Sequence, residues 1–200
     1  PTQGSNASLI SKFSGGVLRG DEHFHKHVLS LDWYTPTFWK FVLTSSIKIG
    51  TIKMLDVKNS NEWIPPYERF IMGGNGIPYG TMLRGYPDNS VGPLSSQGRS
   101  FGGNTMIKYS TEFRFPFSEN PVVYAMLFAE AGSVWNDSQL MHSLALERKN
   151  PLDLKRSAGV GIRFFMPMIG MLGFDMGYGF DDISGDRKPQ GWEYTIIFGR

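Results

Sequence analysis

Residues 104–115 read NTMIKYSTEFRF. On an extended chain Thr105, Ile107, Tyr109, Thr111, Phe113 and Phe115 share one face, and Asn104, Met106, Lys108, Ser110, Glu112 and Arg114 share the other. A period of two held this long predicts a β-strand with one apolar and one wet face. The run is about twice the usual five or six residues of a strand.

The same alternation recurs on both sides. In 157–166 Ala158, Val160, Ile162 and Phe164 alternate with Ser157, Gly159, Gly161 and Arg163. In 172–180 Leu172, Phe174, Met176, Tyr178 and Phe180 alternate with Gly173, Asp175, Gly177 and Gly179. In 192–199 Trp192, Tyr194, Ile196 and Phe198 alternate with Glu193, Thr195, Ile197 and Gly199. In 39–51 Trp39, Phe41, Leu43, Ile47 and Ile49 alternate with Lys40, Thr44, Ser46, Lys48 and Gly50. Residues 122–135 are apolar on nearly both faces, broken by the single charge of Glu130. Weaker signals lie at 8–19 and 24–34, which makes about eight strands and an all-β chain.

The connections sort by length. Residues 34–37, 117–120 and 167–170 predict tight turns, whereas 55–100, 136–154 and 181–190 are long. Short turns at one end and long loops at the other are the plan of an antiparallel up-and-down outer-membrane barrel. Strands of about ten residues also suit its span. The apolar face then meets lipid and the polar face a lumen, with Trp39, Phe115, Trp135 and Trp192 expected in interface girdles.

Composition agrees. The chain of 200 residues holds 24 glycines and 14% aromatics at a mean hydropathy of only −0.23. No apolar run is long enough for a transmembrane helix. Lys and Arg number 20 against 18 Asp and Glu, so no basic surplus points to nucleic acid. With no cysteine, thiolate metal sites, catalytic thiols and disulfides are excluded. His23, His25 and His27 read as a polar hairpin rather than a metal site, and Asp181, Asp182 and Asp186 lack the spacing of a calcium loop. GGNG at 73–76 and GGN at 102–104 lack the Lys-Ser/Thr of a phosphate loop. There is no nucleophile elbow. No catalytic residue, cofactor or metal is expected.

The segment GGNGIPYGTMLRGYPDNSVGP, 73–93, sets Leu83-Arg84-Gly85-Tyr86 inside a polar, glycine-rich loop. This LRGY, the block GGNTMIKYSTEFRFPF (102–117), the block LFAEAGSVW (127–135) and RSAGVGIRFFMPMIGMLGFDMGYGF (156–180) occur in an order that resembles the Omp85 superfamily of outer-membrane barrels. The likeness is greatest to members that assemble other barrels and spans roughly 65–200, with 8–54 fitting by position alone. It implies that 1–200 are the last eight or so strands of a barrel of about sixteen, the first half and the periplasmic repeats lying outside this sequence.

The resemblance also implies roles. The 55–100 loop would fold back into the lumen, where Arg84 pairs with Glu112 and Glu130 and is flanked by Leu83, Gly85 and Tyr86. Both acids fit on pattern, one on a polar face and the other alone in an apolar strand. The family commonly has Asp where this chain has Glu130. The last strand, with Trp192, Tyr194, Ile196, Phe198 and Gly199, would form a lateral seam and, in the family, runs a few residues further to a final aromatic. The implied partners are unfolded outer-membrane barrel clients, accessory lipoproteins and outer-membrane lipids. Two other readings stand beside this one. They are a translocation pore of the two-partner-secretion kind, and a complete eight-stranded barrel with a structural or adhesive role.

Overall fold

Alternation of large apolar and small or polar residues builds eight strands, β1 (Gly4–Ser14), β2 (Phe24–Pro36), β3 (Val42–Met54), β4 (Thr105–Glu119), β5 (Val122–Trp135), β6 (Lys155–Met166), β7 (Gly170–Gly179) and β8 (Gly191–Phe198). The computed structural model describes residues 2–16, 22–55, 64–77, 79–93, 100–136, 153–168 and 170–198. Each strand pairs antiparallel with its neighbours in sequence, in the order β1 to β8. β1 and β8 form the two edges and are not paired to each other among the described residues.

The register confirms the face assignments. Leu43 lies opposite Phe113, Phe113 opposite Leu127 and Leu127 opposite Val160, a continuous outer apolar row. Leu127 is 51% exposed and Ile196 46%, which suits a surface turned to lipid. The opposite row sets Glu112 beside Phe128, Ser110 beside Glu130 and Gly161 beside Asp175.

Four expectations need correction. The strand expected at 8–19 runs Gly4–Ser14 instead. Its start, Ser5 to Ser8, is too polar to alternate, and the ladder to β2 defines it. The strand expected from residue 39 starts at Val42, and the turn expected at 34–37 lies at 37–41. There Thr37 N–H donates to the Phe41 carbonyl at 2.9 Å, and Trp39 takes a left-handed φ of 58°. The pattern Trp39-Phe41-Leu43 continues straight through this turn, so periodicity alone cannot see it. Trp135 is buried rather than in an outer girdle. Asn104 N–H caps its carbonyl at 2.9 Å, where the returning chain crosses the strand end.

The fourth correction concerns the lumen. Its face is not polar throughout. At the long-loop end Phe24, Ile52, Met106 and Val134 point inward and pack against Phe70, Met72, Leu83, Tyr86 and Val91 of the β3–β4 loop. The inner wall there meets protein rather than water, so it is apolar. Burying one such side chain contributes about 1.5–3 kcal/mol. The loop is itself folded, with bridges joining Phe70 to Gly103, Met72 to Thr81 and Val91, and Gly74 to Leu83.

Leu127→Arg places a charge on the outer face near the middle of β5. It should lower folding stability in lipid vesicles by about 2–4 kcal/mol, read by reversible urea titration.

Candidate functional site

Arg84 is the largest fully buried side chain, at 0% exposure. A buried guanidinium is tolerated only where carboxylates meet its donors. Its Nη2 donates to Glu112 Oε1 at 2.7 Å and to Glu130 Oε1 at 2.8 Å. Its backbone N–H donates to Glu130 Oε2 at 2.8 Å. Glu130 therefore holds both the head and the backbone of the loop arginine. Nη1 faces Asp175 Oδ2 at 3.5 Å, and the guanidinium carbon lies 3.8 Å from the centre of the Phe128 ring, a cation–π contact.

Each carboxylate has a second cation. Lys108 Nζ lies 2.9 Å from Glu130 Oε1, and Ser110 donates to the same oxygen at 3.2 Å. Arg114 grips Glu112 Oε2 through Nε at 3.0 Å and Nη2 at 2.8 Å. Arg163 binds Asp175 with both terminal nitrogens, at 2.5 and 2.7 Å. Parallel pairs of this kind are the geometry guanidinium and carboxylate favour. The cluster of three acids and four cations spans β4, β5, β6 and β7 with the loop at its centre. A cavity of about 240 Å³ opens beside it, lined by Asp32, Thr44, Ser46 and Lys108 among others.

The approach of the loop depends on missing side chains. Gly85 has φ +80° and lies so close to the wall that a Cβ there would stand 2.9 Å from Ser157 Cβ and 3.0 Å from Gly179 N. On the wall, a Cβ on Gly177 would stand 2.7 Å from Gly85 N, and one on Gly179 2.4 Å from Gly85 O. The small side of the β6–β7 alternation is the bed on which the loop backbone lies. Tyr86 then reaches past it, donating from Oη to the Arg156 carbonyl at 2.7 Å and accepting from Asp181 N–H at 3.2 Å. Burial pushes the Tyr86 phenol up from its ordinary pKa, so it remains a neutral donor. Burial also pushes the Asp181 carboxyl up, but hydrogen bonds from the Arg156 side chain and backbone outweigh this and hold it below the usual range.

The structure thus brings Leu83, Arg84, Gly85, Tyr86, Glu112 and Glu130 together. Sequence reasoning did not single out Asp175, Phe128, Lys108 or Arg163 for this cluster. Asp175 was visible as the lone acid among glycines in LGFDMGYGF, but nothing local says that it faces an arginine so far back in the chain. Of the strand residues, Trp192, Tyr194, Ile196 and Phe198 all point outward from β8, each more than 45% exposed. Gly199 lies outside the described residues. Among the described residues β8 has 8 residues and pairs with β7.

A one-sheet wall of long strands, apolar outside and wrapped around its own folded loop, has the character of a transmembrane β-barrel protein of the bacterial outer membrane. The Omp85 superfamily domain matches residues 1–197, and the chain belongs to that superfamily. It is 26% identical over 198 residues, 98% of its length, to the outer membrane protein assembly factor BamA of Nitratidesulfovibrio vulgaris. It is 31% identical over 119 residues, 53% of its length, to the protein of the same name from Neisseria meningitidis serogroup B. The matched stretches make up 23% and 14% of those relatives.

Four outcomes are expected here. Arg84→Ala takes away the loop's share of the pairing at Glu112, Glu130 and Asp175 and should destabilise the docked loop by about 3 kcal/mol, the lower end for a broken buried pair because the wall cations remain. Arg84→Lys keeps the charge but loses the fork and should cost about 1–3 kcal/mol. Both are read by protease protection of 81–86 in the folded barrel. Gly177→Ala should release the same peptide with every charge intact, whereas Met176→Ala should not. Finally, a depressed carboxyl pKa stabilises above the unfolded value and stops doing so as pH falls through the folded one. The Asp181 contacts should therefore persist through the ordinary aspartate range and fail only below it, as read by the Tyr86 ring resonances in a pH titration.

Proposed function

We propose that this chain is the carboxy-terminal part of an outer-membrane protein assembly factor. It would insert and fold other β-barrels through a lateral seam, without covalent chemistry and without acting as an enzyme. The observation that carries this reading is the likeness over 98% of the chain to a protein named an assembly factor. The geometry supports it in two ways. β8 is the last strand among the described residues and pairs there with β7, and in the proposed seam its outer edge would offer backbone donors and acceptors to an incoming strand. The Arg84 cluster binds the loop to β4, β5 and β7, so the rest of the wall stays firm while that edge exchanges partners. The clients would be unfolded outer-membrane barrels, working with accessory lipoproteins in the lipid of the same membrane.

The test is complementation. Cells depleted of the full-length protein and supplied with the Arg84→Ala form should show folded client barrels reduced several-fold at equal levels of the factor itself. A single cysteine placed in turn along β8, in this otherwise cysteine-free chain, should crosslink to cysteines in the terminal strand of a stalled client. Normal client levels in Arg84→Ala cells together with no β8 crosslink would count against assembly and favour a pore.

A further inference from the structure

The β3–β4 loop carries a second charged group on its opposite flank. Glu68 closes a single 3₁₀ turn, Pro66–Glu68, and is only 9% exposed. Lys12 of β1 donates to its Oε1, and Lys26 of β2 lies 3.3 Å from its Oε2 and 2.7 Å from its backbone carbonyl. These lysines face each other across the β1–β2 ladder, so one carboxylate joins both strands. The neighbouring Tyr67 donates to Glu22, at the start of the same hairpin's second arm. Lys26 also stands 4.9 Å over the Phe70 ring, and Lys12 5.5 Å over Phe24, so the apolar core runs directly beneath the charges.

We propose that Glu68 is a second, independent anchor of the loop, a positioning residue that ties 64–72 to β1–β2. The loop is then a brace between two ion-paired ends. One end is Glu68 on β1 and β2. The other is Arg84 on β4, β5 and β7. The bridges Met72–Thr81, Met72–Val91 and Gly74–Leu83 lie between the two ends, within the loop itself. The charge order is reversed between them. An acid on the loop meets bases on the wall at one end, and a base on the loop meets acids at the other. Opposite signs fix the direction in which the loop can dock, because a turned loop would set Glu68 against acids and Arg84 against lysines. Two amines around one carboxylate also favour its charged form. Burial pushes the Glu68 carboxyl up, and the Lys12 hydrogen bond and Lys26 charge outweigh this and hold it below the usual glutamate range.

The experiment is peptide-resolved hydrogen–deuterium exchange on the full-length barrel in lipid nanodiscs. It needs no client, so its failure is distinct from failure of the assembly reading. Glu68→Lys should raise exchange of 64–72 at least tenfold while 81–86 stays protected. Arg84→Ala should do the reverse. Exchanging the charges, Glu68→Lys with Lys12→Glu and Lys26→Glu, should restore protection of 64–72. If Glu68→Lys does not insert, Glu68→Gln takes its place, with a smaller rise at the same peptide. Unchanged exchange at 64–72, equal release of both peptides, or no rescue by the exchanged charges would each overturn the proposal.

Discussion

Everything at the centre of this wall depends on one buried cation. Arg84 has no solvent, and although its Nε has no hydrogen-bond partner among the described residues, a desolvated guanidinium is stable only if its charge meets charge. That requirement places Glu112 on β4, Glu130 on β5 and Asp175 on β7 in one spot. Those acids, once gathered, need cations of their own, which is why Lys108, Arg114 and Arg163 surround them. Each acid is paired from the loop and again from the wall. The wall's own pairs, Lys108–Glu130, Arg114–Glu112 and Arg163–Asp175, include no loop atom.

The same strands answer to lipid outside and to a loop backbone inside. In β6 and β7 this becomes an alternation of aromatic or aliphatic residues with glycine. The outer residues supply apolar surface. The inner glycines let Gly85 come within a Cβ's reach of the wall, and so let the Arg84 backbone meet Glu130. A glycine usually weakens a strand, and here close approach of another backbone compensates. The high glycine and aromatic contents of the chain are two sides of one constraint.

Above the charged cluster the lumen behaves as a protein core. Phe24, Ile52, Met106 and Val134 close around the loop's Met72 and Leu83, both wholly buried. The loop is bound by burial at its waist and by charge at both flanks. β8 lies outside this arrangement, its large side chains turned away from the loop.

Much was legible in residue order. Period-two alternation identified the strands and their faces, because side chains on an extended chain alternate by geometry alone. The lengths of the connections identified the two ends of the barrel. The resemblance carried by LRGY and the blocks after it implied Arg84, Glu112 and Glu130, and the pattern agreed, with one acid on a polar face and the other alone in an apolar strand. What residue order could not decide was anything set by contact between distant segments. The turn at 37–41 broke a pattern that ran on unbroken. Trp135 is buried where the returning chain crosses it. The upper lumen is apolar because a loop fills it. Asp175 and Glu68 became members of ion clusters only when the sheet wrapped round and brought β7 and β1 to the same loop. Alternation is local and is written in the chain. Charge pairing and burial across the lumen depend on which strands end up facing one another, and only the folded wall sets that.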